Sequence, residues 1–258
     1  MTDPTVRAQN RAAWDSYSHD GDIWTVPVEA EAVARARGGA PEVLLTETTP
    51  VPQDWLQPLA GRRVLCLAGA GGQQGPLLAA AGAIVTVFDN SPRQLAADAA
   101  VARREGLDLT LVEGDMTDLS AFADGSFDMV FHPCSNLFVP DVRPVWGEAH
   151  RVLRPGGELL SGFLNPVEYV FDRAVLDRSG EFVVRFGLPY DDRTALSEAE
   201  RTELYGPAAP YEFGHTLDDQ IGGQLAVGFT LVGFFEDRRR DGPMARIMPS
   251  YIATRARK

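Results

Sequence analysis

The sequence has 258 residues, 45% hydrophobic and 23% charged, the make-up of a folded globular chain with room for one α/β domain plus insertions. Its formal net charge of −12 opposes a phosphate backbone, and the basic triplet Arg238-Arg239-Arg240 reads as a solvated strand end, so no nucleic-acid partner is expected. No apolar run approaches the roughly 20 residues of a bilayer crossing and the start Met1-Thr2-Asp3-Pro4 lacks a signal-peptide pattern, so the expectation is no membrane and a cytoplasmic location.

Residues 5–19 predict a helix, and residues 20–61, punctuated by Pro27, Pro41, Pro50, Pro52 and Pro58, predict a peripheral segment. From Arg62 the short apolar runs RRVLCLAGAGG, IVTVFDN, LTLVEGD, FDMVFHP and GGELLSGF alternate with stretches able to form helices, the pattern of a parallel sheet covered on both faces. Ser91 followed by Pro92 predicts a capped helix that Gly106 ends, and a second helix over 142–153 stops before Pro155-Gly156-Gly157, expected to turn the chain into the next strand. Between 165 and 215 the rhythm is lost. Tyr169, Phe171, Phe182, Phe186, Tyr190, Tyr205, Tyr211 and Phe213 there read either as a substrate cover or as a small core of their own. Thr216, with Asp219 three residues on, predicts the cap of a helix over 217–226. Strands over 230–235 and 251–254 follow, the last a candidate for antiparallel pairing.

The chemistry-bearing residues sit at predicted strand ends. Val64 to Gly75 runs from an apolar strand through Gly69, Gly71 and Gly72 into a helix. Missing Cβ atoms there let a ligand approach, and the helix start offers free N–H groups. A purely structural tight turn is the alternative, because Gln74 stands where a third dinucleotide glycine would be wanted. Asp89, about 20 residues beyond the turn, can accept from both hydroxyls of a ribose, or cap the helix behind Asn90 and Ser91. In Glu113-Gly114-Asp115-Met116 the acid can accept from an adenine amino group while Met116 lies along the base. Three strand ends thus suit one adenosine. Lys258 is the only lysine, which excludes a Walker-type phosphate lysine, a Schiff-base lysine and a Tyr-x-x-x-Lys pair. Cys66 and Cys134 have no spacing that completes a metal site, so no metal is expected.

The pieces VLCLAGAGGQQGPLLAAAGA, VTVFDNSPRQL, VEGDMTDL, SFDMVFHPCSNLFVPDV, RVLRPGGELLSG and EFGHTLDDQIGGQLAVGF resemble the class I S-adenosylmethionine-dependent methyltransferases. The similarity is to bacterial small-molecule members with a Leu-Cys-Leu-Ala-x-Gly-x-Gly-Gln-Gln first motif, over most of residues 62–258. The resemblance implies a doubly wound, mostly parallel seven-stranded sheet of Rossmann-like form. It implies S-adenosylmethionine as methyl donor, S-adenosylhomocysteine as product and a small-molecule acceptor. Gly69, Ala70 and Gly71 would border the methionine part, Asp89 with Asn90 the ribose, and Asp115 with Met116 the adenine. Gln73 and Gln74 would either donate to the cofactor carboxylate or simply start the helix; the commoner family pattern has a small residue at Gln73 and an acid at Cys66. His132 is implied beside the methionine end, to take a proton from the acceptor or to shape the pocket, with Asn136 next to the acceptor. His215 would reach the pocket from the insertion side or be a satisfied structural histidine. Trp14 and Tyr17 lie in a stretch similar to the family's lid helix, Tyr17 also toward the acceptor. The division expected is a lid and peripheral segment (1–61), a cofactor-binding core (62–164), an inserted cap (165–215) and a closing helix and strand pair (216–258). Two alternatives stand beside this reading, a nicotinamide-dependent oxidoreductase and a non-catalytic S-adenosylmethionine-binding protein.

Overall fold

The computed structural model describes residues 3–258. Helix α1 (Pro4–Asp20) opens on Asp3, whose side chain accepts from Thr5 N, and closes on Gly21 at φ +73°. A 3-10 turn (Ile23–Thr25) leads to α2 (Ala30–Arg37) and α3 (Gln53–Leu56). Val33, Ala36, Val43, Leu45 and Leu56 are fully buried in the core layer on one sheet face, which corrects the expectation of a peripheral segment over 20–61. The prolines limit helix length there, but the apolar side chains between them still leave water.

Strand β1 (Arg63–Leu67), α4 (Gln74–Ala80), β2 (Ile84–Asp89), α5 (Pro92–Glu105), β3 (Leu109–Glu113) and β4 (Phe127–His132) follow, then α6 (Arg143–Val152) and β5 (Leu153–Leu164). Along β1, Val64 and Cys66 pack into one core layer while Leu65 and Leu67 pack into the other. A strand buried on both faces has no polar side, hence its unbroken apolar sequence. Helix α5 is built as its sequence predicts: Ser91 Oγ accepts from Gln94 N at 3.1 Å, Pro92 opens the helix and Gly106 closes it at φ +65°. Pro155-Gly156-Gly157 departs from expectation by lying inside β5, where the pairing slips between Phe127↔Leu153 and Met129↔Glu158 and Gly156 adopts φ +75°. A bulge absorbs the extra residues. Lys258 closes this corner, its Nζ donating to the carbonyls of His150 and Leu153, both at 2.7 Å, at the C-terminal end of α6.

The segment 165–215 carries α7 (Arg173–Ser179), β6 (Tyr190–Asp191), α8 (Asp192–Ala195), α9 (Glu198–Tyr205) and β7 (Phe213–Gly214), with β6 and β7 paired antiparallel. It has a polar centre of its own: Arg201, 2% exposed, donates to the carbonyls of Ala209 and Pro210, pairs with Asp192 at 3.7 Å and lies 4.3 Å from the Tyr211 ring. Thr216 and Asp219 form the expected reciprocal cap. The helix behind it begins as a π-helical turn (Asp218–Gly222) before becoming α10 (Gly223–Ala226). Strand β8 (Thr230–Asp237), α11 (Gly242–Ile247) and β9 (Tyr251–Arg257) complete the chain. Seven strands form one sheet in the order β3-β2-β1-β4-β5-β9-β8, with the β9 ladders antiparallel and the others parallel. Helix α4 packs into one core layer and α6 into the other, so the connections change side between β1 and β4. A crevice opens at the carboxyl ends of strands where that happens. Among the described residues no helix is long and apolar enough to cross a membrane.

Candidate functional site

The crevice is a cavity of about 590 Å³ lined by the loops after β1, β2, β3 and β4, by α1 and by the insertion. Its floor is the turn after β1. A Cβ on Gly69 would stand 2.8 Å from Pro133 Cγ, and one on Gly71, at φ +111°, would stand 2.5 Å from Gln94 Oε1. Only glycine fits either place. Carboxylates hold three N–H groups of the turn: Ala70 N donates to Asp89 Oδ2 at 3.2 Å, and Gly71 N and Gly72 N donate to Asp98 Oδ2 at 2.8 and 3.0 Å. Asp98, fully buried on α5, carries no sequence signal beyond being an acid in a helix. Burial first, and then the charge of Asp98, push the Cys66 thiol far up. Burial likewise raises Asp98 to about 7 and Asp89 to about 6, against the opposing pull of their N–H donors.

Asp89 Oδ1 also accepts from Ser91 N at 2.9 Å, a turn that leads into the Ser91 cap of α5, and the same side chain lines the cavity. Asn90 lines it too, but its amide is engaged by α1: Oδ1 accepts from Arg7 Nε at 3.0 Å and Nδ2 donates to Arg7 O at 3.1 Å. Asp115 and Met116 lie on the wall beyond Gly114, with Asp115 Oδ1 accepting from Thr117 N and Oγ1, both at 2.9 Å. Trp14 and Tyr17 line the cavity, and the Trp14 ring meets Phe138 edge-on at 5.3 Å. Asn10 clamps this helix in place, Nδ2 donating to Phe138 O and Tyr211 O while Oδ1 accepts from Tyr211 N at 2.7 Å. A buried amide inside a helix, where asparagine is a poor helix former, is the signal for such a clamp.

Gln73 lines the cavity, but its Nε2, the group expected to donate to a cofactor carboxylate, donates instead to Ile23 O and Val26 O. Gln74 Oε1 accepts from Leu44 N at 2.9 Å. The polar group that does face the floor unengaged is Gln94, 3% exposed and lining the cavity, with neither Oε1 nor Nε2 partnered. An orphaned buried amide beside a glycine cradle suits the amino-acid end of S-adenosylmethionine, so the residues present fit that cofactor.

His132 is corrected both as a catalytic and as a cofactor-binding residue. It is completely buried and absent from the cavity wall, its Nδ1 donates to Leu67 O at 2.8 Å, and its ring meets Trp146 edge-on at 6.0 Å. As the last residue of β4 it points out of the sheet face, under α6, rather than along the strand toward the crevice. Burial lowers its pKa to about 4, so the ring is neutral. Asn136 and His215 also leave the wall. Asn136 exchanges amide bonds with Gln220 at 3.0 and 3.1 Å, and His215 Nε2 donates to Asn136 O at 3.1 Å. The π-helical turn contributes Gln220 to this pairing. The insertion does reach the cavity, through Tyr169, Phe171, Phe186, Tyr190, Tyr205, Glu168 and Glu212, joined by Cys134, Arg239 and Tyr251.

A parallel core whose connections change side beside a glycine turn after the first strand, with acids at the ends of the second and third strands, has the class I methyltransferase fold. Residues 65–161 match the family described as a methyltransferase domain. A Bacillus subtilis protein named "Uncharacterized methyltransferase YbaJ" is 45% identical over 251 residues, 97% of this chain and 98% of that one. The chain therefore belongs to the S-adenosylmethionine-dependent methyltransferases, which sets the nicotinamide alternative aside. Two solved structures share the fold: an S-adenosylmethionine-dependent methyltransferase from Mesorhizobium loti (TM-score 0.59, 18% identity, 87% of this chain and 96% of that one), and the Burkholderia thailandensis 1,6-didemethyltoxoflavin-N1-methyltransferase with bound S-adenosylhomocysteine (TM-score 0.55, 20% identity, 97% and 88%).

Proposed function

We propose that this enzyme methylates a small molecule held between the glycine turn and the insertion 165–215. The observation that carries the reading is the continuity of the cavity: turn, lid helix and aromatic insertion walls border one space of about 590 Å³, within the range of small-molecule sites. In this reading Gly69, Ala70, Gly71 and Gln94 hold the amino-acid end of the cofactor, Asp89 the ribose, and Asp115 with Met116 the adenine. Trp14 and Tyr17 close over it. The bound cofactor supplies a methyl group on a sulfonium already activated for in-line displacement. The chain's own contribution is alignment and exclusion of water, for which α1 is fixed at one end by Asn90 and across its middle by Asn10. The test is labelled S-adenosylmethionine incubated with a metabolite extract, reading by mass which small molecule gains the label. Replacing the insertion by a short linker is expected to abolish that transfer while S-adenosylhomocysteine still raises the melting temperature. Transfer that survives the replacement overturns the assignment.

A further inference from the structure

The insertion side of the cavity combines two carboxylates with aromatic faces, while the arginines lining it are already engaged. Arg239 gives both Nε and Nη2 to one oxygen of Glu168, Oε2, at 3.0 and 2.9 Å. Arg185 is paired with Asp172 and Glu200, and Arg173 with Asp177. Each of these three arginines already has a carboxylate partner. The Glu168 side chain is 4% exposed, and its other oxygen, Oε1, is buried without a partner. Glu212 lines the cavity, half-buried; it accepts from Tyr169 OH at 3.0 Å and has no ion-pair partner among the described residues. The Tyr190 ring stacks on Tyr169 at 5.0 Å, and Phe186 meets Tyr190 edge-on at 5.3 Å.

We propose that this chamber recognises a protonated amine, whose N–H donors reach Glu212 and the free Oε1 of Glu168 while its apolar part lies against Tyr169, Tyr190 and Phe186. The inference rests on the reading of this chamber as the acceptor site, and it names the acceptor's class. A carboxylate at the wall of a largely apolar chamber with no direct ion-pair partner is costly, and an ammonium group lowers that cost at Glu212 while satisfying the orphaned oxygen of Glu168. Aromatic faces add attraction for a cation and none for an anion. Burial, and after it the charge of Asp192, raise Glu212 to about 7 against the weaker opposing pull of the Tyr169 hydroxyl, Arg239 and Arg173, so that a cation arriving in the chamber shifts it toward the ionised form. The net charge of −12 favours the approach of such a molecule.

The experiment titrates benzylammonium, benzyl alcohol and benzoate, three probes of matched shape, into the S-adenosylhomocysteine-loaded enzyme at neutral pH, as wild type and as Glu212→Gln. The ammonium is expected to bind on the order of tenfold tighter than the alcohol, the margin of a charge-assisted hydrogen bond, with benzoate weakest. Glu212→Gln keeps the shape of the site and is expected to lose that margin. Equal binding of the three, binding of none, or a preference that survives in Glu212→Gln overturns the proposal. Affinity for S-adenosylhomocysteine is measured in the same samples: its loss would strike at the cofactor assignment, whereas its retention without an ammonium preference strikes at the amine alone.

Discussion

Substituting Asp98 tests whether the glycine turn is held ready from a neighbouring helix. Its Oδ2 accepts from Gly71 N and Gly72 N at 2.8 and 3.0 Å. Asp98→Ala leaves both buried donors unpaired, at about 1–3 kcal/mol each. The turn can relieve that only by abandoning the φ of +111° at Gly71 that opens the cavity floor. If the ligand feels about half of the loss, the Kd for S-adenosylhomocysteine rises about 10- to 100-fold, or about 1.4–2.8 kcal/mol. Asp98→Asn keeps an acceptor for the two donors, and the oxygen that its amino group replaces, Oδ1, has no partner to lose. Its affinity is expected within a few-fold of wild type. The pair also differs in pH response. The native Asp98 is raised from 3.8 to about 7, so the native state holds a proton that the unfolded chain releases. Its contribution to stability is therefore full below about pH 4 and is lost as pH rises through about 7, at most about 4 kcal/mol in all. Asp98→Asn removes that slope. Calorimetric titration with S-adenosylhomocysteine, and urea midpoints on both sides of the window, read both effects. Wild-type affinity in Asp98→Ala, or Asp98→Asn as damaged as alanine, refutes the reasoning.

Asp89→Ala is expected to weaken S-adenosylhomocysteine binding by about 1.5–3 kcal/mol for each ribose hydrogen bond removed; unchanged affinity by calorimetry assigns Asp89 to the cap and turn alone. Gly162→Ala places a Cβ 1.9 Å from the carbonyl oxygen of Leu45, a backbone clash worth about 1–3 kcal/mol or more, and an unmoved denaturation midpoint contradicts it. His132→Asn, which keeps a donor toward Leu67 O, should leave kcat/KM within about threefold, whereas loss of a general base costs about 10²–10⁴-fold; a drop of that larger size restores His132 to catalysis. Arg201→Met leaves buried Asp192 without its cation, a loss of about 3–5 kcal/mol, and should expose residues 165–215 to protease while cofactor binding persists; unchanged protease resistance counts against the polar centre.

The cofactor half of the site was legible because its determinants are local and ordered along the chain. A glycine turn, a strand-end acid and an acid followed by methionine recur at the spacing that a parallel sheet imposes, so β1, β2 and β3 could be read with their ligand-facing tips. What was illegible there comes from across the fold. Asp98 sits among the alanines of α5 with nothing to mark it, and its role exists only because α5 packs beside the turn. The segment 20–61 was misjudged for a related reason: proline marks where helices stop, but whether the apolar residues between them are buried depends on an uncovered sheet face elsewhere.

The acceptor half failed differently, through histidines that sequence position placed well and side-chain direction placed badly. His132 does end β4, beside the crevice, yet strand alternation turns its ring under α6, where Nδ1 meets Leu67 O. Asn136 is drawn into amide pairing with Gln220 of the π-helical turn at Asp218–Gly222, and His215 donates to the Asn136 carbonyl, a local geometry that the capping pattern of Thr216 and Asp219 does not announce. The acids of the insertion that do line the cavity, Glu168 and Glu212, lie in a stretch whose only legible feature is its aromatic content. Tyr169 explains why that content mattered: its ring stacks in the wall while its hydroxyl donates to Glu212 at 3.0 Å. A wall of aromatic rings is therefore compatible with both original readings of the insertion. Its rings pack as a core on one side, and on the other they lower the polarity around a carboxylate, which raises the cost of leaving that charge unpaired and so sharpens selection for a cation.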